Sequence, residues 1–182
     1  MMRIASVLLL WGAICVSAPI ALSPSLIPPA QAQREATRPS RAPQLLETRT
    51  TNNQVRSRYA QYRITLASPA AAQPIQALQL QQRTGTEAIQ LRLDQTRVWV
   101  NGAEWAIASS TGNGQDEPLI LTFAEPIPPN SAIVLQLRPH YNPRWAGEYS
   151  YGVTVIMNED FSLYIGPARL RFYEGDRRIW FP

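Results

Sequence analysis

From Tyr59 onward the chain reads as short runs in which apolar and polar residues take turns. Tyr62-Arg63-Ile64-Thr65-Leu66 alternates, as do Ala77-Leu78-Gln79-Leu80-Gln81 and Ile89-Gln90-Leu91-Arg92-Leu93. Successive side chains of a strand point to opposite faces, so each run offers one apolar and one polar face, the period of a half-buried strand. Helical spacing is not sustained in this region. The sharpest local pattern is Arg97-Val98-Trp99-Val100-Asn101-Gly102-Ala103-Glu104-Trp105. Asn-Gly supplies the positive φ angles that a two-residue type I′ hairpin turn demands. Counting outward pairs Val100 with Ala103, Trp99 with Glu104 and Val98 with Trp105. Val98, Val100, Ala103, Trp105 and Ile107 then share a core face, and Arg97, Trp99 and Glu104 the outer one.

The same punctuation continues to the end. Residues 109–118 form a polar loop, 119–123 a strand, 125–130 a proline-fixed turn, and 133–137 the next strand. A loop over 139–147 leads into Tyr149-Ser150-Tyr151-Gly152-Val153-Thr154-Val155-Ile156-Met157, whose odd-numbered residues share one face. Asn158-Glu159-Asp160 turns the chain, and residues 163–173 close the domain. Arg177-Arg178-Ile179-Trp180-Phe181-Pro182 reads as a last edge segment or a short docking tail. Immunoglobulin-like sandwiches often carry a Tyr two residues before the core position of strand F, its hydroxyl bonded back to nearby backbone. Tyr149, two residues before Tyr151, fits that role. The expected fold is all-β: an immunoglobulin-like antiparallel sandwich of about seven to nine short strands.

The first 32 residues follow another pattern. Met1-Met2-Arg3 gives a positive start, residues 4–16 are nearly all apolar, and Ala30-Gln31-Ala32 is the small-x-small signature of a signal-peptidase site. No charge stands between Arg3 and Arg34. This predicts cleavage after Ala32 and a working place outside the cytoplasm: the periplasm, the envelope or the medium. Residues 4–22 are long enough to enter a bilayer as an uncleaved anchor, but Pro19, Pro24 and Pro28-Pro29 work against a settled helix. Lipidation of Cys15 is disfavoured by Ile14, which stands where a small residue is expected. No membrane span is expected once the leader is gone.

Residues 33–58 are rich in Arg, Thr, Pro, Gln and Asn, with little hydrophobic periodicity. Such a stretch buries too little apolar surface to offset chain entropy, so it reads as a disordered linker ahead of a domain over 59–182. All 17 cationic residues are arginine, and their placement is uneven. Residues 33–58 carry six arginines against two glutamates, a net of +4, whereas residues 59–182 carry ten against eleven acids, a net of −1. The overall charge of +4 therefore belongs to the leading segment. It gives at most a weak polyanion contact, and nucleic acid is not an expected partner of an exported protein. The single cysteine, Cys15, leaves with the leader. A disulfide framework and thiolate chemistry leave with it.

Catalytic and metal chemistry find little footing. The only histidine is His140, and neither Gly-x-Ser-x-Gly nor His-Glu-x-x-His occurs. The acids fall mostly in polar loops, such as Asp116-Glu117 and Glu159-Asp160. His140 and Met157 are too few for a copper site, and no EF-hand spacing is present. An enzyme, a cofactor and a metal site are accordingly not expected. Binding surfaces remain. His140-Tyr141-Asn142-Pro143-Arg144-Trp145 is a loop bearing the side chains most enriched at interaction hot spots. Tyr141, Asn142, Arg144 and Trp145 are the first candidates, and Trp99 with Arg97 on the outer face of the hairpin are the second. The bland alternative folds Tyr141 and Trp145 inward over the end of the sandwich and covers Trp99 with a loop.

Five stretches taken in order carry a family resemblance: Phe123-Ala124-Glu125-Pro126-Ile127-Pro128-Pro129, Leu137-Arg138-Pro139, Asn142-Pro143-Arg144, Gly147-Glu148-Tyr149-Ser150-Tyr151-Gly152-Val153-Thr154 and Gly166-Pro167-Ala168-Arg169-Leu170-Arg171-Phe172-Tyr173. Over residues 59–174 the chain resembles the cyanobacterial family called domain of unknown function 2808. Ile156-Met157-Asn158-Glu159-Asp160 departs from that family's usual Pro- and Gly-containing turn. The resemblance implies an exported β-domain with no assigned activity and supplies no catalytic residue. The expectation is therefore a non-enzymatic, monomeric binding or structural module of the cell envelope, its partner an envelope glycan or protein. A periplasmic metal-handling protein and an unrecognised envelope hydrolase are the alternatives.

Overall fold

Alternation becomes a sandwich because the ten strands among the described residues can hide their apolar faces only against one another. The computed structural model describes residues 42–114 and 116–175. The predicted leader, residues 33–41 and residues 176–182 lie outside the described residues. The strands are β1 (Gln44–Thr50), β2 (Tyr62–Ser68), β3 (Ile75–Thr84), β4 (Arg97–Val100), β5 (Ala103–Trp105), β6 (Ile107–Thr111), β7 (Leu119–Ile127), β8 (Ser131–Leu137), β9 (Gly147–Ile156) and β10 (Ser162–Phe172). They form two five-stranded sheets, β1-β2-β8-β4-β5 and β10-β9-β3-β7-β6. Every pairing between strands is antiparallel.

The order of the strands defines the class. An immunoglobulin constant-type sandwich sets A-B-E-D against C-F-G. Here β1-β2-β8-β4 takes the first arrangement and β3-β9-β10 the second, with A to G falling in chain order. The insertion lies between D and E. There β5 lengthens the first sheet, and β6 and β7 cross to the far edge of the second. This is an immunoglobulin-like β-sandwich.

The core between the sheets holds Tyr62, Ile64 and Leu66 of β2, Leu78 and Leu80 of β3, Ile133, Leu135 and Leu137 of β8, and Tyr149, Tyr151, Val153 and Val155 of β9, all fully buried. Burying each such side chain contributes roughly 1.5–3 kcal/mol. The hairpin has the expected register, Val98 opposite Trp105, Trp99 opposite Glu104 and Val100 opposite Ala103. Asn101 and Gly102 hold φ of 50° and 86° at its turn. Gly152, inside β9, leaves room on the outer face for the Tyr164 ring and the Arg83 stem, which a Cβ there would crowd.

Five expectations of the fold need correction. Residues 109–111 are not loop: they belong to β6, with Ser109 opposite Thr122 and Thr111 opposite Ile120 of β7. Residues 44–50 are not linker: they form β1, paired along β2 from Gln44 opposite Ala67 to Thr50 opposite Tyr62. An edge strand buries little of itself, so its apolar signal is faint, and a bulge between Leu45 and Glu47 breaks the alternation further. Residues 89–93 are not a strand. Ile89 is buried and Leu91 makes an isolated bridge to Pro139, after which Leu93–Gln95 is a single 3-10 turn. The turn predicted over 125–130 is shorter, because β7 runs on to Ile127 with Pro126 in the stretch that β6 does not pair. Ala103 is exposed although its partner Val100 is buried, because β5 is the uncovered edge of its sheet.

Candidate functional site

One end of the sandwich gathers the segments 51–61, 138–146 and 173–175, because β1, β8 and β10 all finish there and β2 and β9 begin there. Backbone hydrogen bonds lace these segments together. Arg56 N–H donates to the Pro143 carbonyl at 2.9 Å, and Asn142 N–H to the Ser57 carbonyl at 2.7 Å. Tyr173 N–H donates to the Asn53 carbonyl at 2.9 Å, and Val55 N–H to the Tyr173 carbonyl at 3.0 Å. Residues 85–92 lie alongside, with His140 N–H donating to the Gln90 carbonyl at 2.9 Å.

Asn142 is the knot beneath. It is only 1% exposed. Its Oδ1 accepts from the Tyr62 hydroxyl at 2.9 Å, and its Nδ2 donates to the carbonyls of Asn52 at 2.9 Å and Gln54 at 2.8 Å. Asn142 was expected on the contact surface; it is instead the buried joint that fixes that surface. A short amide suits the place, because it alone offers an acceptor to a phenol and two donors to carbonyls at once. Tyr149 adds a second clamp, its hydroxyl donating to the Trp145 carbonyl at 3.1 Å. This is the tyrosine corner that its spacing predicts. Rings complete the floor, with Phe172 centred 5.8 Å from Tyr62 and 5.5 Å from Tyr149. Glu87 holds the outer part of the loop, accepting from both the backbone N–H and the Nε of Arg144, the latter at 3.0 Å. Burial works to raise the Glu87 carboxyl, but the two bonds from Arg144, the Arg144 charge and the Trp145 backbone together outweigh it and hold it below the ordinary carboxylate value.

On this fixed base stand aromatic side chains that point into water. Tyr59 is 81% exposed, Trp145 57%, and Tyr141 and Tyr173 51% each. They are four of the six exposed Phe, Tyr and Trp residues among those described; Phe161 and Tyr164 lie elsewhere. Arg56 and Arg58 are exposed beside Tyr59 and make no ion pair among the described residues. Arg56 takes a φ of 60°, a left-handed conformation uncommon outside glycine, asparagine and aspartate.

The structure thus brings Tyr141, Arg144 and Trp145 together at the surface. Trp99 and Arg97 stand apart, on the outer face of the first sheet. Arg97 pairs with Glu104 at 3.4 Å and donates to the carbonyls of Asp94 and Thr96 at 3.0 and 2.9 Å. Trp99 is half-buried. The reading from sequence missed Tyr59, Tyr173, Arg56 and Arg58. The signal for three of them was Arg56-Ser57-Arg58-Tyr59, which sat across the presumed boundary between linker and domain; Tyr173 is the last residue of the stretch read as the closing strand. Cavities open near these groups. One of about 240 Å³ is lined by Glu87, Gln90, Tyr141 and Arg144 among others, and one of about 420 Å³ by Arg97, Glu104 and Trp105 among others. Among the described residues no three His, Cys, Asp or Glu side chains gather in a group able to hold a metal ion.

The sandwich and its laced end are those of a small β-domain that presents loops. Its sequence matches the model of the family described as protein of unknown function (DUF2808) over residues 36–172, and the chain belongs to that family. No curated protein matches it. Among solved structures it is similar to the pilus backbone RrgB of Streptococcus pneumoniae, with 12% identity and a TM-score of 0.39 over 63% of this chain and 52% of that one. The chain therefore spans about half the length of that protein. It is also similar to ACE19, the collagen-binding subdomain of the Enterococcus faecalis surface protein ACE, with 11% identity and a TM-score of 0.32 over 63% of this chain and 88% of that one.

Proposed function

We propose that this chain is an exported, non-enzymatic binding or structural module of the cell envelope, and that it makes contact through the end carrying Tyr59, Tyr141, Trp145 and Tyr173. One observation carries the reading: four large aromatic side chains from three separate segments are exposed on a base held by buried hydrogen bonds. Water-facing aromatics on a rigid base lose little side-chain entropy on binding and bury large area, which is why such residues dominate interaction hot spots. The leader pattern of residues 1–32 supports export.

The test is co-sedimentation of the chain, expressed with its own leader and purified from the extracytoplasmic fraction, with cell-wall sacculi and outer-membrane fractions. Retention should fall at least tenfold in a Tyr141→Ala, Trp145→Ala double variant whose thermal unfolding is unchanged. Equal retention of that variant would move the contact elsewhere, and no retention of the parent would sink the envelope reading. Stoichiometric uptake of copper or calcium by the purified chain would favour metal handling instead.

A further inference from the structure

We infer that this end of the sandwich docks on the headgroup layer of an anionic lipid membrane; the inference rests on the contact surface proposed above and names its partner. Two features of the surface carry it. The first is charge. Segments 51–61, 138–146 and 173–175 contain four arginines, Arg56, Arg58, Arg138 and Arg144, against one acid, Glu174. Of the four, Arg144 is engaged by Glu87 of the neighbouring segment, and Arg56 and Arg58 are exposed with no ion pair among the described residues. A guanidinium grips phosphate oxygens with two parallel hydrogen bonds, and it keeps its charge at any pH a cell meets.

The second feature is where the aromatic rings are. A sugar chain held by stacking needs rings that line a platform or groove. Of the four exposed aromatics only Tyr141 lines the cavity of about 240 Å³ at this end, and none lines the neighbouring one of about 290 Å³ over residues 82–88. Tyr59, Trp145 and Tyr173 project from separate segments instead. Rings with a polar edge beside arginines form the combination that settles at a bilayer–water boundary, ring among the upper acyl chains and cation at the phosphates. The Arg56 backbone, left-handed and bonded to the Pro143 carbonyl, together with the Asn142 bond to Ser57, sets residues 56–58 against the segment that carries Tyr141 and Trp145. Docking of this kind is weak, reversible and sensitive to salt, since each arginine near an anionic surface strengthens binding about fivefold.

Vesicle flotation tests the inference with the same purified chain. Vesicles of phosphatidylcholine containing phosphatidylglycerol should carry it, and carry less of it as salt rises; vesicles of phosphatidylcholine alone should carry little. The double variant Arg56→Asn, Arg58→Gln should bind about 25-fold more weakly, Asn being tolerated at the φ that Arg56 adopts. Trp145→Ala should also weaken binding. Arg169→Gln, an exposed site on the outer face of β10, should leave it unchanged. Unaltered unfolding curves would show that the variants fold. Binding independent of anionic lipid, or equal loss in Arg169→Gln, would overturn the inference. So would retention on lipid-free sacculi through the same residues with no flotation, an outcome that leaves the envelope-binding proposal standing.

Discussion

Asn142 shows how a single side chain decides what a loop presents. Its amide satisfies the Tyr62 phenol and two backbone carbonyls from the segment after β1, all beneath the exposed rings. Asn142→Ala would take their partner from the Tyr62 phenol and the Gln54 carbonyl, while the Asn52 carbonyl keeps the Thr50 hydroxyl at 2.8 Å. Each such group costs about 1–3 kcal/mol, moderated where the loop relaxes, so a net loss of about 2–4 kcal/mol is expected in a urea titration. The surface should loosen along with it, and a variant as stable as the parent would show that the joint is not where the structure places it. Nothing in Tyr141-Asn142-Pro143 distinguishes a surface Asn from a buried one, because both uses favour the same turn-forming residue. Tyr149 was legible for the opposite reason. Its partner lies four residues back along the chain, so the spacing alone contained the geometry.

At the scale of elements, the strands visible in the sequence are those with one face fully buried. The register of β4 and β5 could be counted from Asn101-Gly102, since a type I′ turn fixes it. The strand β1 escaped because its apolar content is Leu45 and Leu46, and the bulge turns Leu46 out to solvent. The residues after it, which carry Arg56, Arg58 and Tyr59, were lost with it, and so half the candidate site was lost too. A chain starting at Tyr59 should therefore fold poorly. It would bare the edge of β2, remove the carbonyls of Asn52 and Gln54 that Asn142 binds, and delete the bridge between Gln54 and Tyr173. Exposed strand edges recruit other chains. Size-exclusion chromatography should show this fragment aggregating where the full chain does not, and a monodisperse fragment with a cooperative transition would make β1 dispensable.

Across the whole molecule, the two sheets are sealed by a core in which Tyr62, Tyr149 and Tyr151 lie together, and alkali tests that seal. Burial pushes the Tyr62 phenol far above its ordinary value of 10.0, with the neighbouring phenols of Tyr151 and Tyr149 adding to the effect. Burial alone does the same to Tyr151. The sign of the linkage follows from these raised values. Below the unfolded value both states keep these protons, and the phenols cost the fold nothing. Above it the unfolded chain releases protons that the folded core retains, so stability falls steadily as pH climbs. The two buried phenols should therefore ionise only when the sandwich opens. In an alkaline titration, part of the tyrosinate absorbance should appear together with the loss of the β-sheet circular dichroism signal, and should be absent while that signal persists. A Tyr62→Phe, Tyr151→Phe variant should lose that late component. If every tyrosine instead ionised reversibly in a chain that kept its sheet signal, water would have to reach the centre of the sandwich, and the full burial of Tyr62 and Tyr151 between the sheets would be wrong.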